Sequence, residues 1–264
     1  MPEITVPTIS IVFMAISAIG SFLIPLLLLL YYRKNLGVSP KNFFWGMGVF
    51  IIAVYVLEST FVALLKLSPI GTYIDNNIWI NGLLGGLCAG IFEELGRYFA
   101  FSRLVKNNHR SEALAYGAGH GGAEAIIILG IGMISNFAVS YMINSGSAAA
   151  LVPSGTDAAT AAAVLDSFRE LAETKPYMFI IGFIERCLAI ILHLALSVLV
   201  FAAAKRGRTK LLPAAIGIHA LVNAAAIIIY ALSNNPFITE AVVLVLTAGA
   251  AYLALKVYYS ISEV

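Results

Sequence analysis

Seven apolar runs divide the chain, at about 8–32, 43–66, 78–101, 113–142, 177–204, 211–232 and 236–259. Each is long enough to cross a hydrocarbon core, which takes about 20 helical residues. The runs are continuous rather than alternating, and an open sheet cannot satisfy its backbone polar groups in lipid. The pattern therefore predicts an all-α polytopic bundle of seven transmembrane helices, forming one transmembrane domain over residues 1–264. The first run exceeds the roughly 7–15 residues of a signal-peptide core. It lacks a basic start and is followed by basic residues, which predicts a retained helix.

The one long connection is 144–176. Its first half is rich in Gly, Ser and Ala. Its second half places Val164, Leu165, Phe168 and Leu171 on one helical face and Asp166, Arg169, Glu170 and Glu173 on others. This predicts an amphipathic helix, either a plain connector or a flap over a site.

Composition agrees with the pattern. The chain is 60% hydrophobic and only 11% charged, against about 25% charged in soluble domains, and its mean hydropathy is +0.92. The distribution of charge adds direction. Arg33, Lys34 and Lys41 follow the first run; Arg103, Lys106 and Arg110 follow the third; Lys205, Arg206, Arg208 and Lys210 follow the fifth. The other connections are poor in basic residues. Cytoplasmic loops carry the excess of Lys and Arg, so the N-terminus is expected outside, the C-terminus in the cytoplasm, and the 144–176 connector on the extracytoplasmic side. Cys88 and Cys187 both sit in apolar runs, so neither a disulfide nor a thiolate metal site is expected. No basic stripe interleaved with aromatics points to nucleic acid.

Four runs break the apolar pattern: IFEELGRYFAF, AYGAGHGGAEAIIILG, IERCLAIILHLALS and AIGIHALVNAAA. Ionisable groups are rare at membrane depth and face an interior site or a water-filled cavity. Counted from the expected cytoplasmic ends at about 1.5 Å per residue, Glu93, Glu94, His120, Glu124, His193, His219 and Asn223 all fall ~12–18 Å deep. His120 and Glu124 are spaced i,i+4, as are His219 and Asn223, and Arg97 lies within reach of Glu93 and Glu94. Adjacent glutamates cannot share one face, so one is expected to face the site while the other binds Arg97 or a neighbouring helix. Glu185 and Arg186 lie nearer the outer end and are expected to pair with each other or the interface. Glu58 is expected to be a packing or interfacial acid.

Such a layer suits hydrolysis. A partly buried carboxylate can act as general base toward water, and imidazole or carboxamide N–H groups can stabilise an oxyanion. Ser197 is the only serine near the layer with a histidine one turn away, and no GxSxG motif is present. Alternatively, His120, His193 and His219 can form a Zn²⁺ site with Glu124 or with a glutamate of the Glu93–Glu94 pair, although HEXXH is absent. Asn223 is a poor zinc ligand and a good oxyanion donor, so a metal-independent mechanism with no cofactor is favoured.

At these motifs the chain resembles the superfamily of type II CAAX prenyl endopeptidases, bacteriocin-immunity-type and PrsW-like membrane proteases, most closely its YhfC-like branch. The motifs are Glu93-Glu94-Leu95-Gly96-Arg97, His120-Gly121-Gly122-Ala123-Glu124, His193 on the next core helix, and His219-Ala220-Leu221-Val222-Asn223. Their order on four successive apolar helices is specific, and it marks 78–232 as the catalytic core. The resemblance implies an intramembrane endopeptidase of the bacterial cytoplasmic membrane that acts on a membrane protein or peptide. Glu93 would activate water, Glu94 would act with Arg97, and His219 with Asn223 would stabilise the oxyanion. Glu124 stands where the prenyl endopeptidases carry a catalytic histidine. Two readings from other classes are a non-catalytic scaffold or chaperone and a proton-coupled transporter; the chain lacks the inverted repeats of many transporters.

Overall fold

The computed structural model describes residues 4–152 and 154–262. Seven helices are long and apolar enough to span a membrane: α1 (Thr8–Leu36), α2 (Pro40–Leu67), α3 (Ile78–Leu104), α4 (Glu112–Asn144), α6 (Tyr177–Lys205), α7 (Leu211–Ser233) and α8 (Pro236–Tyr259). The connector carries an eighth helix, α5 (Ala158–Glu173). These match the apolar runs to within a few residues, and the expected all-α polytopic bundle is what the chain forms. Pro153, in the connector, lies outside the described residues.

Three spans change pitch part-way. Ile51–Glu58, Ala100–Leu104 and Ala125–Gly130 take the wider π-helical winding. Val105 N–H, for instance, reaches back five residues to the Ala100 carbonyl at 2.9 Å. Such stretches are rare and recur near functional sites. Here one ends at Glu58, one begins just past Arg97, and one follows Glu124 directly.

The described residues fall into two compact units, with breaks inside α1, α4 and α6. The first holds the chain up to Leu23 with Ile126–Ile184. Its core gathers Val6, Met14, Ile143, Phe168 and Phe179, against which Val164, Leu165 and Leu171 pack. The apolar face expected for the connector helix is therefore the face it buries. Asn144 clamps the strand-like entry to α1, accepting from Val6 N–H at 2.8 Å and donating to the Val6 carbonyl at 3.0 Å.

The second unit holds Ile24–Ala125 with the chain from Glu185 onward. Glycines set its helix spacing. On α3, Gly82, Gly86 and Gly90 recur every fourth residue and face α7. A Cβ at Gly86 would lie 2.3 Å from the Ala220 carbonyl oxygen, and one at Gly90 2.6 Å from that of Ile216. The glycine run of α4 works on two sides: Gly119 meets the Phe43 backbone of α2, while Gly117 and Gly121 meet α6 at His193. Small residues let membrane helices approach closely where no hydrophobic force between them operates. Phe101, Tyr116, Leu196, Leu199 and Phe201 fill the centre of this unit.

Candidate active site

All the polar intramembrane residues singled out from the sequence, Glu58 excepted, lie in or beside one region of the second unit. α3 supplies Glu93, Glu94 and Arg97, all buried, with Arg97 fully enclosed. α4 adds His120 and Glu124, α6 adds Arg186, His193 and Ser197, and α7 adds His219 and Asn223.

The groups form a continuous chain of contacts. Arg186 donates to both Glu185 and Glu124. Glu124 Oε2 lies 2.5 Å from His193 Nε2. Arg97 donates to His193 Nδ1 at 2.9 Å, to the His193 carbonyl at 2.8 Å and to Ser197 Oγ at 2.5 Å. The Arg97 Nε lies 3.1 Å from Glu94 Oε2. Glu94 Oε1 is 2.8 Å from His219 Nδ1. His219 Nε2 then faces Glu93 Oε1 at 3.9 Å, and Glu93 Oε2 is 2.8 Å from His120 Nε2. Phe50 and Tyr116 pack on the His120 ring at 5.2 and 5.9 Å.

The adjacent glutamates divide their partners: Glu94 takes Arg97 and His219 Nδ1, and Glu93 takes His120 and faces His219 Nε2. Ser197 is an acceptor for Arg97 and makes no bond to an imidazole among the described residues, so it is not arranged as a nucleophile. Glu185 and Arg186 do pair with each other, but Arg186 also holds Glu124, a role the sequence reading missed. The signal was present: Arg186 and His193 are seven residues apart, two turns on one helix face. Glu58 stays apart, with Oε2 buried and no hydrogen-bond partner among the described residues. Asn223 joins no hydrogen bond there either; it lines a cavity of about 40 Å³ together with Glu124, Arg186, Leu192, His193 and His219.

Hydrogen-bond logic assigns the protons. Arginine only donates, so His193 Nδ1 accepts, and the neutral ring carries its proton on Nε2, shared with Glu124. Glu94 is an acceptor, so His219 carries its proton on Nδ1. The lone pair of His219 Nε2 thus points toward a carboxylate oxygen with no hydrogen between them. Among the buried groups, three carboxylates (Glu93, Glu94, Glu124) face two guanidiniums (Arg97, Arg186), an excess of one negative charge when the imidazoles are neutral. Buried charge without a partner is strongly unfavourable, and a bound cation or one proton held by the cluster balances it. Ligand atoms of Glu93, His193 and His219, all buried, lie within 4.8 Å of one another. One carboxylate and two imidazoles suit Zn²⁺, and His219 has its other nitrogen held by a carboxylate, as metal-bound histidines do. Glu93 and His219 fit a metal as they stand; His193 has Nδ1 engaged by Arg97 and Nε2 by Glu124, and would have to release Nε2 to join them. Of the candidates expected from sequence, the trio contains His193, His219 and a glutamate of the adjacent pair, while His120 and Glu124 flank it as partners of Glu93 and His193.

A model of the family described as YhfC intramembrane metalloprotease matches residues 20–243. The chain belongs to the YhfC family. It is 36% identical over 222 residues to an "Uncharacterized membrane protein YhfC" of Bacillus subtilis (strain 168), a match covering 83% of this chain and 84% of that protein. No solved structure matches significantly. Every group in the polar chain, from Glu93 to Asn223, lies inside the YhfC match. This YhfC-family member is a multi-pass membrane protein, consistent with residence in a bacterial cytoplasmic membrane.

Proposed function

We propose that the chain is a metal-dependent intramembrane endopeptidase, hydrolysing a peptide bond of a membrane-embedded or membrane-proximal protein segment. The observation that carries this reading is the meeting of Glu93, His193 and His219 at one buried point beside a small cavity. The description of its family supports it. The motif-based preference for a metal-free glutamate mechanism gives way here, because the lone pair of His219 Nε2 faces Glu93 with no hydrogen between them, an arrangement that a cation would satisfy.

Zn²⁺ held by these three residues supplies Lewis acidity and an activated water at neutral pH. The remaining roles belong to the chain itself. Glu94 orients His219 through Nδ1. His120 donates its Nε2 proton to Glu93 and fixes that carboxylate. Arg97 ties Glu94 to His193 and Ser197. For the neutral His193 ring to ligate through Nε2, its proton would have to sit on Nδ1, with Arg97 turned from Nδ1 to the His193 carbonyl and Ser197 that it already bonds. Glu124, at the cavity wall, would then be a free carboxylate placed to take a proton from water and pass it to the departing amine. Asn223, on the same wall, has an amide N–H group for the oxyanion. In this reading the core is 78–232, the polar layer lies nearer the cytoplasmic face, and the 144–176 connector is extracytoplasmic.

The test is metal content alongside cleavage of a membrane-protein substrate by purified protein. About one zinc per chain is expected, lost with activity on chelation and restored by zinc. Activity surviving complete removal of metal would return the mechanism to Glu93 alone.

A further inference from the structure

The cavity beside the polar chain has a wall that no sequence motif contributed. Val243 and Thr247 of α8 line it, together with Glu124, His193, His219 and Asn223. Thr247 lies past residue 243, where the family match ends, and outside the core at 78–232. It is only 1% exposed, and its Oγ1 is buried with no hydrogen-bond partner among the described residues. Helical Ser and Thr can return their hydroxyl to the carbonyl four residues back. Ser140, Ser233 and Thr239 do so in this chain, at 2.7, 2.7 and 3.2 Å. Thr247 does not. Among the described residues it is the only side chain of the cavity wall with a fully buried polar atom left over.

A buried hydroxyl without a partner is costly, and nearly all such groups bond to protein or to ordered water. The size of the cavity selects between possible occupants. Small-molecule sites span roughly 300–1,000 Å³, whereas this one is about 40 Å³. A buried water needs only about 10–15 Å³ and two to four polar partners. The wall supplies them. The Thr247 hydroxyl donates and accepts, the Asn223 carboxamide does both, and the Glu124 carboxylate accepts. Glu185, in the same lining, has a side chain 39% exposed, which gives the cavity a polar edge near the surface. We propose that the cavity is a water-binding site anchored by Thr247, and that Thr247 is a positioning residue for the hydrolytic water. The second half rests on the endopeptidase reading; the first does not. Each peptide bond cut takes up one water. Its oxygen and one proton end on the new carboxyl group, and its other proton ends on the new amine. Thr247 and Asn223 hold that water beside Glu124.

The test is radiolytic footprinting of the full-length protein in nanodiscs, in which radicals made from bound water oxidise the side chains beside it. Leu192, Val222 and Val243 line the cavity and are all buried, so their oxidation reports internal water. They should be oxidised in wild type, lose that signal in Thr247→Val, and keep it in Thr247→Ser, which retains the hydroxyl. In the cleavage assay Thr247→Val should lower kcat by roughly tenfold, the worth of one hydrogen bond, with KM and bound metal as in wild type. Thr247→Ser should restore it. No oxidation of the three residues in wild type would show a dry cavity and overturn the proposal. Equal oxidation in wild type and Thr247→Val would remove Thr247 as the anchor. A loss that Thr247→Ser fails to restore would reduce Thr247 to packing. Oxidation that depends on Thr247 in a protein that cleaves nothing would support the water site and count against the endopeptidase reading.

Discussion

Glu94 Oε1 sits 2.8 Å from His219 Nδ1, and this bond decides which way the imidazole presents its lone pair. With the proton held on Nδ1, Nε2 is left to face Glu93. Glu94→Gln weakens that orientation without touching the proposed ligand atoms. Zinc affinity, measured by competition with a chromophoric chelator, should fall by about 10–100-fold. Affinity equal to wild type would mean that Glu94 serves Arg97 alone.

Glu93 is the only carboxylate in the proposed ligand trio. Glu93→Gln should lower turnover by at least about 10²–10⁴, the range of one lost catalytic carboxylate, and deplete bound metal, while circular dichroism stays helical. A variant that keeps its metal and its cleavage would remove Glu93 from the site.

Arg186 holds two carboxylates at once. Arg186→Met leaves Glu124 with only His193 and Glu185 without its partner. Removing one member of a buried pair destabilises by about 3–5 kcal/mol. The low end applies, because the Glu185 side chain is 39% exposed. Adding Glu124→Gln to Arg186→Met should recover part of the loss, since the unpaired charge disappears. Thermal unfolding in detergent reads both; a double variant no more stable than the single one would show that charge is not the cause.

The α3–α7 contact sets where Glu93 and Glu94 stand relative to His219. Gly86→Val places a Cβ 2.3 Å from the Ala220 carbonyl and 2.9 Å from the Ala224 Cβ, so the helices must part. A displacement of about 1 Å is enough to lower activity ~100-fold. Gly48→Ala, where a Cβ meets nothing within 4 Å, is the control and should leave turnover unchanged. Wild-type activity in Gly86→Val would mean the spacing is not critical.

Much of this was legible in the sequence, for physical reasons. Span lengths follow from bilayer thickness, so the apolar runs mapped onto α1 to α4 and α6 to α8 with small end errors. The i,i+4 pairs and the run of glycines on α4 predicted shared faces and close approach, and both are present. The π-helical stretches were not visible, because a change from i→i+4 to i→i+5 bonding alters no composition: Ile51–Glu58 is as apolar as its neighbours. The pairing of Arg186 with Glu185 was legible; its second contact, to Glu124, was not, because an adjacent Glu185 offered a sufficient partner and depth counting ignores the reach of a guanidinium. Which of the candidate groups converge was not legible, because i,i+4 spacing speaks only for one helix, whereas the approach of Glu93 to two histidines from other helices is a purely tertiary fact.

The basic loops after α1, α3 and α6 predict an orientation that labelling can test. In a chain with Cys88 and Cys187 replaced, single cysteines at Ser154 and Arg208 should react with a membrane-impermeant maleimide from opposite faces, Ser154 outside and Arg208 inside. Labelling of both from the same face would break the depth argument for the polar layer.

The polar chain also has a history. Arg97 and the His193 carbonyl it binds are separated by 96 residues. At bacterial translation speeds of about 5–20 residues per second, roughly 5–20 s pass between the synthesis of one and the other. During that interval α3 carries two carboxylates and a guanidinium with neither α6 nor α7 yet made. Only the Glu94–Arg97 contact, local to one helix, and the later arrival on α4 of His120 beside Glu93 are then available to it. The newborn α3 must therefore wait at the insertion machinery or in a hydrated setting until the later helices arrive, which makes the order of membrane insertion part of how this site is built.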